Sequence, residues 1–313
     1  MDRHAFNAAP EGEAGAGQSR RPPALTLEAS PAQQGAWSTH QDPEAQAEPY
    51  AKAKAYRARM LAKVGNACPD GEQKELERGI NFTDEELQGF IAHAEGLGFG
   101  QADVEAILAV KVRKEWVECQ TLMEVADCLS KKRDDKRIRF KDGWDFMRAY
   151  REAQVSMLAG SALAPDDYLA VDYVLEHSRN FSGKASYLLP KKKFDRFVNP
   201  ERTPNKNLGY NGALYVSSSA EIDRVLLAAN GDISIVERLL GITPGSWQEE
   251  GPELYRVDIW EPEKKGLRIP HGLESSSNEF WTPGALTSGG TMEAVLDEVP
   301  RIVANHSHSK VIG

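Results

Sequence analysis

The spacing of apolar residues changes near Asn180, and that change limits what the chain can become. Before it, apolar residues recur at helical intervals. After it, short alternating runs are cut by glycine and proline. A chain patterned this way builds helices first and a small sheet with short helices second. The expected fold is α+β: an N-terminal helical module followed by a small bent-sheet α+β domain.

The boundaries follow from the same pattern. Residues 1–48 are rich in Ala, Gly, Pro, Gln, Ser and Glu, with little apolar side chain to offset the entropy of ordering. They read as a disordered leader, either a bland tail or a recognition segment for a specialised secretion machine. Residues 49–180 are the expected helical module. AKAKAYRARMLAKVG forms a helix ending near Gly65, and Thr83 and Glu86 have capping-box spacing ahead of Leu87, Phe90 and Ile91. A glycine-rich break at 96–100 precedes a stretch that reads as one long helix or two with a bend. The basic run KKRDDKRIRFK at 131–141 reads as a solvated loop, or as a surface for an acidic partner, a lipid headgroup or RNA. Its two aspartates weaken the RNA version. Trp144, Phe146, Met147, Tyr150 and Val155 fit a further helix. Pro165 opens the last one, with Tyr168, Val171, Val174 and Leu175 at helical spacing and His177 on the surface near its end.

Residues 181–305 are the expected α+β domain and 306–313 a frayed tail. SYLLP and GALYVSSS read as strands, with KKKFDRFVNP between them as a loop or one helical turn. SAEIDRVLLAANG reads as a helix capped by Ser219 and stopped at Asn230-Gly231, and DISIVERLLGI as a second helix ending at Gly241. Residues 252–262 alternate as a strand closed by Pro262. LRIP and EFWTPG are two further short strands, and TSGGTMEAVLDEVP is a helical turn or an irregular strand.

Charge and cysteine content narrow the function classes. A net charge of -9 over 313 residues argues against general nucleic-acid binding and against a DNA partner. No stretch reaches the roughly 18 apolar residues of a membrane helix. The start, MDRHAFNAAPEGEAG, lacks the apolar core of a secretory signal peptide. Cys68, Cys119 and Cys128 are odd in number and form no C-x-x-C pair, so free thiols are expected and a zinc site is not.

Candidate chemistry concentrates between residues 208 and 300. Gly209 and Gly212 bracket a loop that allows close backbone approach to a ligand, and Tyr215 on the following strand can stack on a flat ring. An ordinary turn with a core tyrosine is the plainer alternative. GxGxxG spacing is absent. Glu274 and Glu279 flank three serines, and Glu279 stands beside Phe280 and Trp281. A carboxylate there can be desolvated, bind a ribose hydroxyl and stabilise an oxocarbenium-like centre. It can also be only a polar strand edge. Arg256 and Arg268 can hold phosphate bidentately or pair with acidic neighbours. His271, in a loop, has the right pKa range for a general base.

Residues 205–300 resemble a domain found at the ends of bacterial polymorphic toxins. The resemblance rests on Ala229-Asn230-Gly231-Asp232, Leu240-Gly241-Ile242, Gly245-Ser246-Trp247 and Arg256-Val257-Asp258. Arg268-Ile269-Pro270, Gly272, Glu274, Asn278, Trp281-Thr282-Pro283-Gly284, Ser288-Gly289-Gly290 and Glu293-Ala294-Val295 complete it. Leu273 and Ala285 depart from it, standing where Asn and Gly are expected. The resemblance implies a secreted bacterial effector or toxin, exported by a specialised system and acting in the cytoplasm of a target cell. Its implied partners are a host or target-cell protein and a secretion chaperone or immunity protein.

A looser resemblance is to ADP-ribosyltransferases. It rests on YLLP, then Gly212-Ala213-Leu214-Tyr215-Val216-Ser217, then Glu279-Phe280-Trp281-Thr282-Pro283-Gly284, in that order. It implies NAD as substrate, with Tyr215 stacked on nicotinamide and Glu279 on the ribose. Asn211, Ser217 and Arg268 would hold the remainder. An acid at Ser277 is missing from that pattern, as is a His or Arg in SYLLP. Two other functions stay open: a toxin ribonuclease using His271, Glu274 and Arg268, and a non-catalytic effector that binds a host protein through the helical module.

Overall fold

A computed structural model describes residues 50–67, 82–113, 118–203, 206–209, 212–274, 277–297 and 299–313. Its element order is α+β, with helices followed by a mixed region of sheet and helices. The leader, Cys68 and Asn211 lie outside the described residues.

The helical part holds α1 (Ala51–Ala67), α2 (Asp84–Gly96), α3 (Gln101–Arg113), α4 (Cys119–Arg133) and α5 (Phe146–Leu158). The capping box forms as read. The Glu86 N–H donates to Thr83 Oγ1 at 3.1 Å, and the Thr83 N–H donates to the Glu86 carboxylate at 2.8 Å. Cys119 and Cys128 both lie on α4. The helix expected from Pro165 is two pieces, α6 (Pro165–Tyr168) and α7 (Val171–Arg179). Between them Leu169 is extended and bridges Phe140. The Ala170 N–H goes to Arg139 O at 3.0 Å instead of continuing a helix. That break re-aims α7. Val171 and Leu175 are 67% and 52% exposed, whereas Tyr173 and His177 are buried. His177 is therefore an interior residue, not the surface one expected.

The second part follows as β1 (Lys184–Pro190), α8 (Lys191–Phe197), β2 (Asn207–Leu208), β3 (Leu214–Ser218), α9 (Ser219–Ala229) and α10 (Ile233–Leu240). It ends with β4 (Leu254–Trp260), β5 (Ala294–Leu296), β6 (Val299–Pro300) and β7 (His306–Ile312). Five strands make an antiparallel sheet ordered β5-β3-β1-β4-β7, and β2 and β6 make a separate pair. The segment expected to fray is thus strand β7, paired with β4 from Leu254↔Ile312 to Ile259↔His306. LRIP contributes one bridge, Arg268↔Val295, rather than a strand. EFWTPG is a turn: Asn278 Oδ1 accepts the Phe280 N–H at 3.0 Å, and Asn278 O accepts the Trp281 N–H at 3.2 Å. The α9 cap is Ser218, one residue earlier than read, and Asn230 stops that helix in the left-handed conformation.

Strand alternation sorts the sheet's side chains into two layers. Ala185, Tyr187, Val216, Val257, Ile259, Ala294 and Leu296 pack with Phe181 and Phe194 on one face. Leu188 and Leu254 face α9, α10 and Trp247 on the other. The loop after β4 does not stay with the sheet. Its Ile269, Phe280, Ala285 and Leu286 join the helical core of Leu87, Phe90, Ile107 and Leu129. Full burial of one such side chain contributes about 1.5–3 kcal/mol, so this loop is pinned to the helices. Among the described residues no helix is long and apolar enough to cross a membrane.

Candidate functional site

The face of β3 that carries Tyr215 and Ser217 borders a cavity of about 570 Å³. Its walls include Leu188 of β1, Lys193, Arg196 and Phe197 of α8, Leu240 at the end of α10, Trp247, and the loop side chains Phe280 and Trp281. Glu293 also lines it. Register explains why. β3 pairs β5 as Leu214↔Leu296, Tyr215↔Val295 and Val216↔Ala294. One further step sets Glu293 opposite Ser217, on the same face as Tyr215.

Glu293 is held by its backbone and left free at its carboxyl. Its N–H donates to Ala285 O at 2.9 Å, and its carbonyl accepts from His177 Nε2 at 2.9 Å. A carbonyl only accepts, so this bond assigns the imidazole proton to Nε2. Burial lowers the His177 pKa to about 4, which keeps the ring neutral at pH 7. Among the described residues no donor reaches the Glu293 carboxyl. Glu293 is half-buried and lines the cavity, and its carboxyl is largely desolvated. That burial pushes its pKa up to about 8; Glu274 adds to the rise and Lys132 opposes it.

The carboxylates singled out in the sequence are placed otherwise. Glu274 does not line the cavity. Its side chain is 2% exposed and accepts from the His271 N–H at 3.0 Å, the Gly272 N–H at 2.8 Å and Tyr215 Oη at 3.2 Å. It closes its own turn and steadies Tyr215 from behind. The Tyr215 hydroxyl is raised well above its ordinary pKa, by burial first and then by the charges of Glu274 and Glu293. Glu279 accepts from Thr243 Oγ1 at 3.1 Å and is not part of the cavity wall. The expected pairing of Tyr215 with Glu279 around one cleft is corrected to Tyr215 with Glu293.

The expected phosphate and base groups are also engaged elsewhere. Arg256 donates to Asp258 at 2.6 Å, to Ser186 Oγ at 3.0 Å and to Asp223, in a network joining β1, β4 and α9. Arg268 donates to Asp297 at 2.7 Å and Gly266 O at 3.1 Å. His271 Nδ1 accepts the Leu273 N–H at 3.3 Å, within its own turn. None of these three, nor Gly212, lines the cavity, whereas Gly209 does. On α8, by contrast, the Arg196 guanidinium lies 5.0 Å from the Phe197 ring and has no acidic partner among the described residues. Its neighbour Lys193 is 3.3 Å from Glu250. Trp281 Nε1 is buried without a hydrogen-bond partner among the described residues, and a ligand acceptor would satisfy it.

Two local devices set the wall opposite β3. Glu237 on α10 accepts from the backbone N–H groups of Gly245 (2.9 Å), Trp247 (2.6 Å) and Gln248 (3.2 Å), and from Gln248 Nε2 at 3.0 Å. Burial alone would raise its pKa, but these donors outweigh it and hold the group below the ordinary value. The carboxylate thereby fixes the turn that presents Trp247. The Leu239 carbonyl accepts from Thr287 Oγ1 at 2.7 Å and Thr291 Oγ1 at 2.8 Å. A Cβ at Gly289 would lie 2.2 Å from Arg238 O and 2.4 Å from Leu239 Cα, so the Glu293 loop sits directly on the end of α10.

Among the described residues no cluster of three or more His, Cys, Asp or Glu could hold a metal ion. No protein-family model matches this chain, and no curated protein sequence matches it. Glu293, Trp247, Trp281 and Arg196 were not assigned roles from sequence. The available signal for Glu293 was a single acid directly ahead of an apolar strand in GGTMEAVL.

Proposed function

We propose that the cavity binds the nicotinamide–ribose part of NAD, and that the protein transfers ADP-ribose to a target-cell protein as a secreted bacterial effector or toxin. The observation that carries this reading is Glu293: a half-buried, desolvated carboxyl with no donor among the described residues, lining an aromatic-walled cavity and in register with Ser217.

In this reading Tyr215, Phe280 and Trp281 offer flat apolar surface to the nicotinamide ring. Ser217 and Glu293 meet the ribose, and the diphosphate lies toward Arg196 and Lys193. The glycosidic C1′–N bond breaks and its electron pair leaves with neutral nicotinamide. Positive charge develops on the ribose against the Glu293 carboxylate. A nucleophile of the target attacks C1′ from the opposite face and its proton passes to solvent. The positive charge of bound nicotinamide favours the ionised form of Glu293, opposing the effect of burial. A ribonuclease built on His271, Glu274 and Arg268 has less support, because each of those groups is engaged in its own turn or ion pair.

Incubation of the full chain with labelled NAD and target-cell lysate tests the proposal. Nicotinamide release and label transfer are expected from the wild type, and neither from a folded Glu293→Gln variant. Absence of both from the folded wild type would overturn it.

A further inference from the structure

We infer that Lys132 is the buried counter-charge of Glu293, a positioning residue that acts on the cavity through that carboxyl from the helical side. The inference rests on the reading of Glu293 as the cavity's working group, but its test needs no substrate.

Lys132 lies in the last turn of α4 and is 3% exposed. Its Nζ is buried and has no hydrogen-bond partner among the described residues. Lysine is seldom buried without one. Cationic neighbours in the same basic run differ. Arg137 pairs with Asp135 at 2.7 Å, Arg139 with Glu176 at 2.6 Å, and Arg133 donates to Leu97 O at 3.2 Å.

Lys132 stands where the helical part touches the Glu293 loop. Cys128, one turn earlier on α4, directs its thiol at Ser288 O at 3.8 Å. Arg137 donates to Gly290 O at 3.0 Å. His177 holds the Glu293 carbonyl itself. The charged and titratable groups facing Lys132 are Cys128, Asp135, Arg137 and Glu293. Asp135 is taken by Arg137, with both of its oxygens accepting from that guanidinium. The Cys128 thiol is pushed up to about 11 by burial and stays neutral at pH 7. Asp135 acts on Lys132 more strongly but is already held by Arg137, so Glu293, which faces Lys132 from beyond ion-pair distance, is the acid with no hydrogen-bonding donor of its own among the described residues. Around Glu293 the facing groups are Glu274, Tyr215 and Lys132. Glu274 already accepts three hydrogen bonds, from two backbone N–H groups and Tyr215. Lys132 is the opposite charge. Burial lowers the ammonium to about 8 and raises the carboxyl to about 8, and each group opposes the other's shift.

The experiment follows both protons in the full chain without ligand. Infrared spectra of the wild type minus Glu293→Gln isolate the acid carbonyl stretch of Glu293. In the wild type that band should disappear as pH rises through about 8. In Lys132→Met, an apolar side chain of similar length, its midpoint should move up by about one pH unit or more. The reciprocal arm reads the Lys132 side-chain carbon by NMR in Glu293→Gln. There the ammonium should titrate lower, and by a comparable amount, because coupling is mutual. Unchanged midpoints overturn the inference. If Lys132→Met does not fold, the Glu293→Gln arm decides, since it keeps Lys132. Linked midpoints without any NAD turnover would remove the proposed activity and leave this pairing standing.

Discussion

The turn closed by Glu237 and the loop that carries Glu293 border the same cavity and treat a desolvated carboxyl in opposite ways. Glu237 meets three backbone N–H groups and an amide, and its pKa falls. Glu293 meets no donor among the described residues, and its pKa rises to about 8. Glu237 is fully buried and Glu293 half-buried, yet Glu237 has the lowered pKa, so burial alone does not set the difference. What separates them is whether the protein satisfies the charge or leaves it for something that enters the cavity.

That contrast can be broken most directly at Glu293. Glu293→Gln should lower nicotinamide release by about 10²–10³-fold, with the melting temperature unchanged or raised. A fall of less than tenfold would make the loop as structural as the turn. Glu237→Ala should do the reverse and destabilise the fold by about 3 kcal/mol in chemical denaturation, because it leaves the buried Trp247 N–H and the part-buried N–H groups of Gly245 and Gln248 unpaired. A loss under about 1 kcal/mol would remove the contrast from the other side.

Acidity sharpens it further. Folded Glu293 binds its proton more tightly than an ordinary glutamate of pKa 4.5, so stability falls as pH rises from 4.5 to about 8. Glu293→Gln lacks that loss, and its melting-temperature advantage over wild type should widen from pH 5 to pH 8. His177 has the opposite sign. Its folded pKa is depressed from 6.5 to about 4, so stability present above 6.5 is lost as pH falls toward 4. The full difference corresponds to up to about 3 kcal/mol, and acid denaturation of His177→Asn should lack it. Glu279→Gln, outside the cavity wall, should change turnover by no more than about twofold.

Local signals were legible and long-range ones were not. Thr83 and Glu86, Asn230 and Gly241 act within a few residues, and each sits where its chemistry places it. His177 defeated that kind of reading because its partner carbonyl is 116 residues away. Val171 and Leu175 have suitable spacing for an apolar face, yet the pairing of Leu169 with Phe140 turns them outward. EFWTPG carries strand-forming residues, but Phe280 belongs to the helical core and Trp281 packs near Ala153 and Met157, so tertiary burial overrode propensity. Tyr215, singled out for its ring, and Ser217, named through a resemblance, share one strand face and line the cavity. Glu293 was not legible, because its place depends on the register between β3 and β5. Arg256 and Arg268 were misleading because their acidic partners, Asp223 and Asp297, lie 33 and 29 residues away.

The contact at Gly289 has an evolutionary consequence. Its φ is not among the positive ones, so nothing in its backbone demands glycine. The veto comes from the neighbouring chain, since even one methyl group would strike Arg238 and Leu239. Drift at this position is therefore closed to every other amino acid unless the end of α10 retreats, and a retreat would carry Thr287, Thr291 and the approach to Glu293 with it. A residue with no side chain, outside the cavity wall, thus ties the shape of that wall to the end of α10.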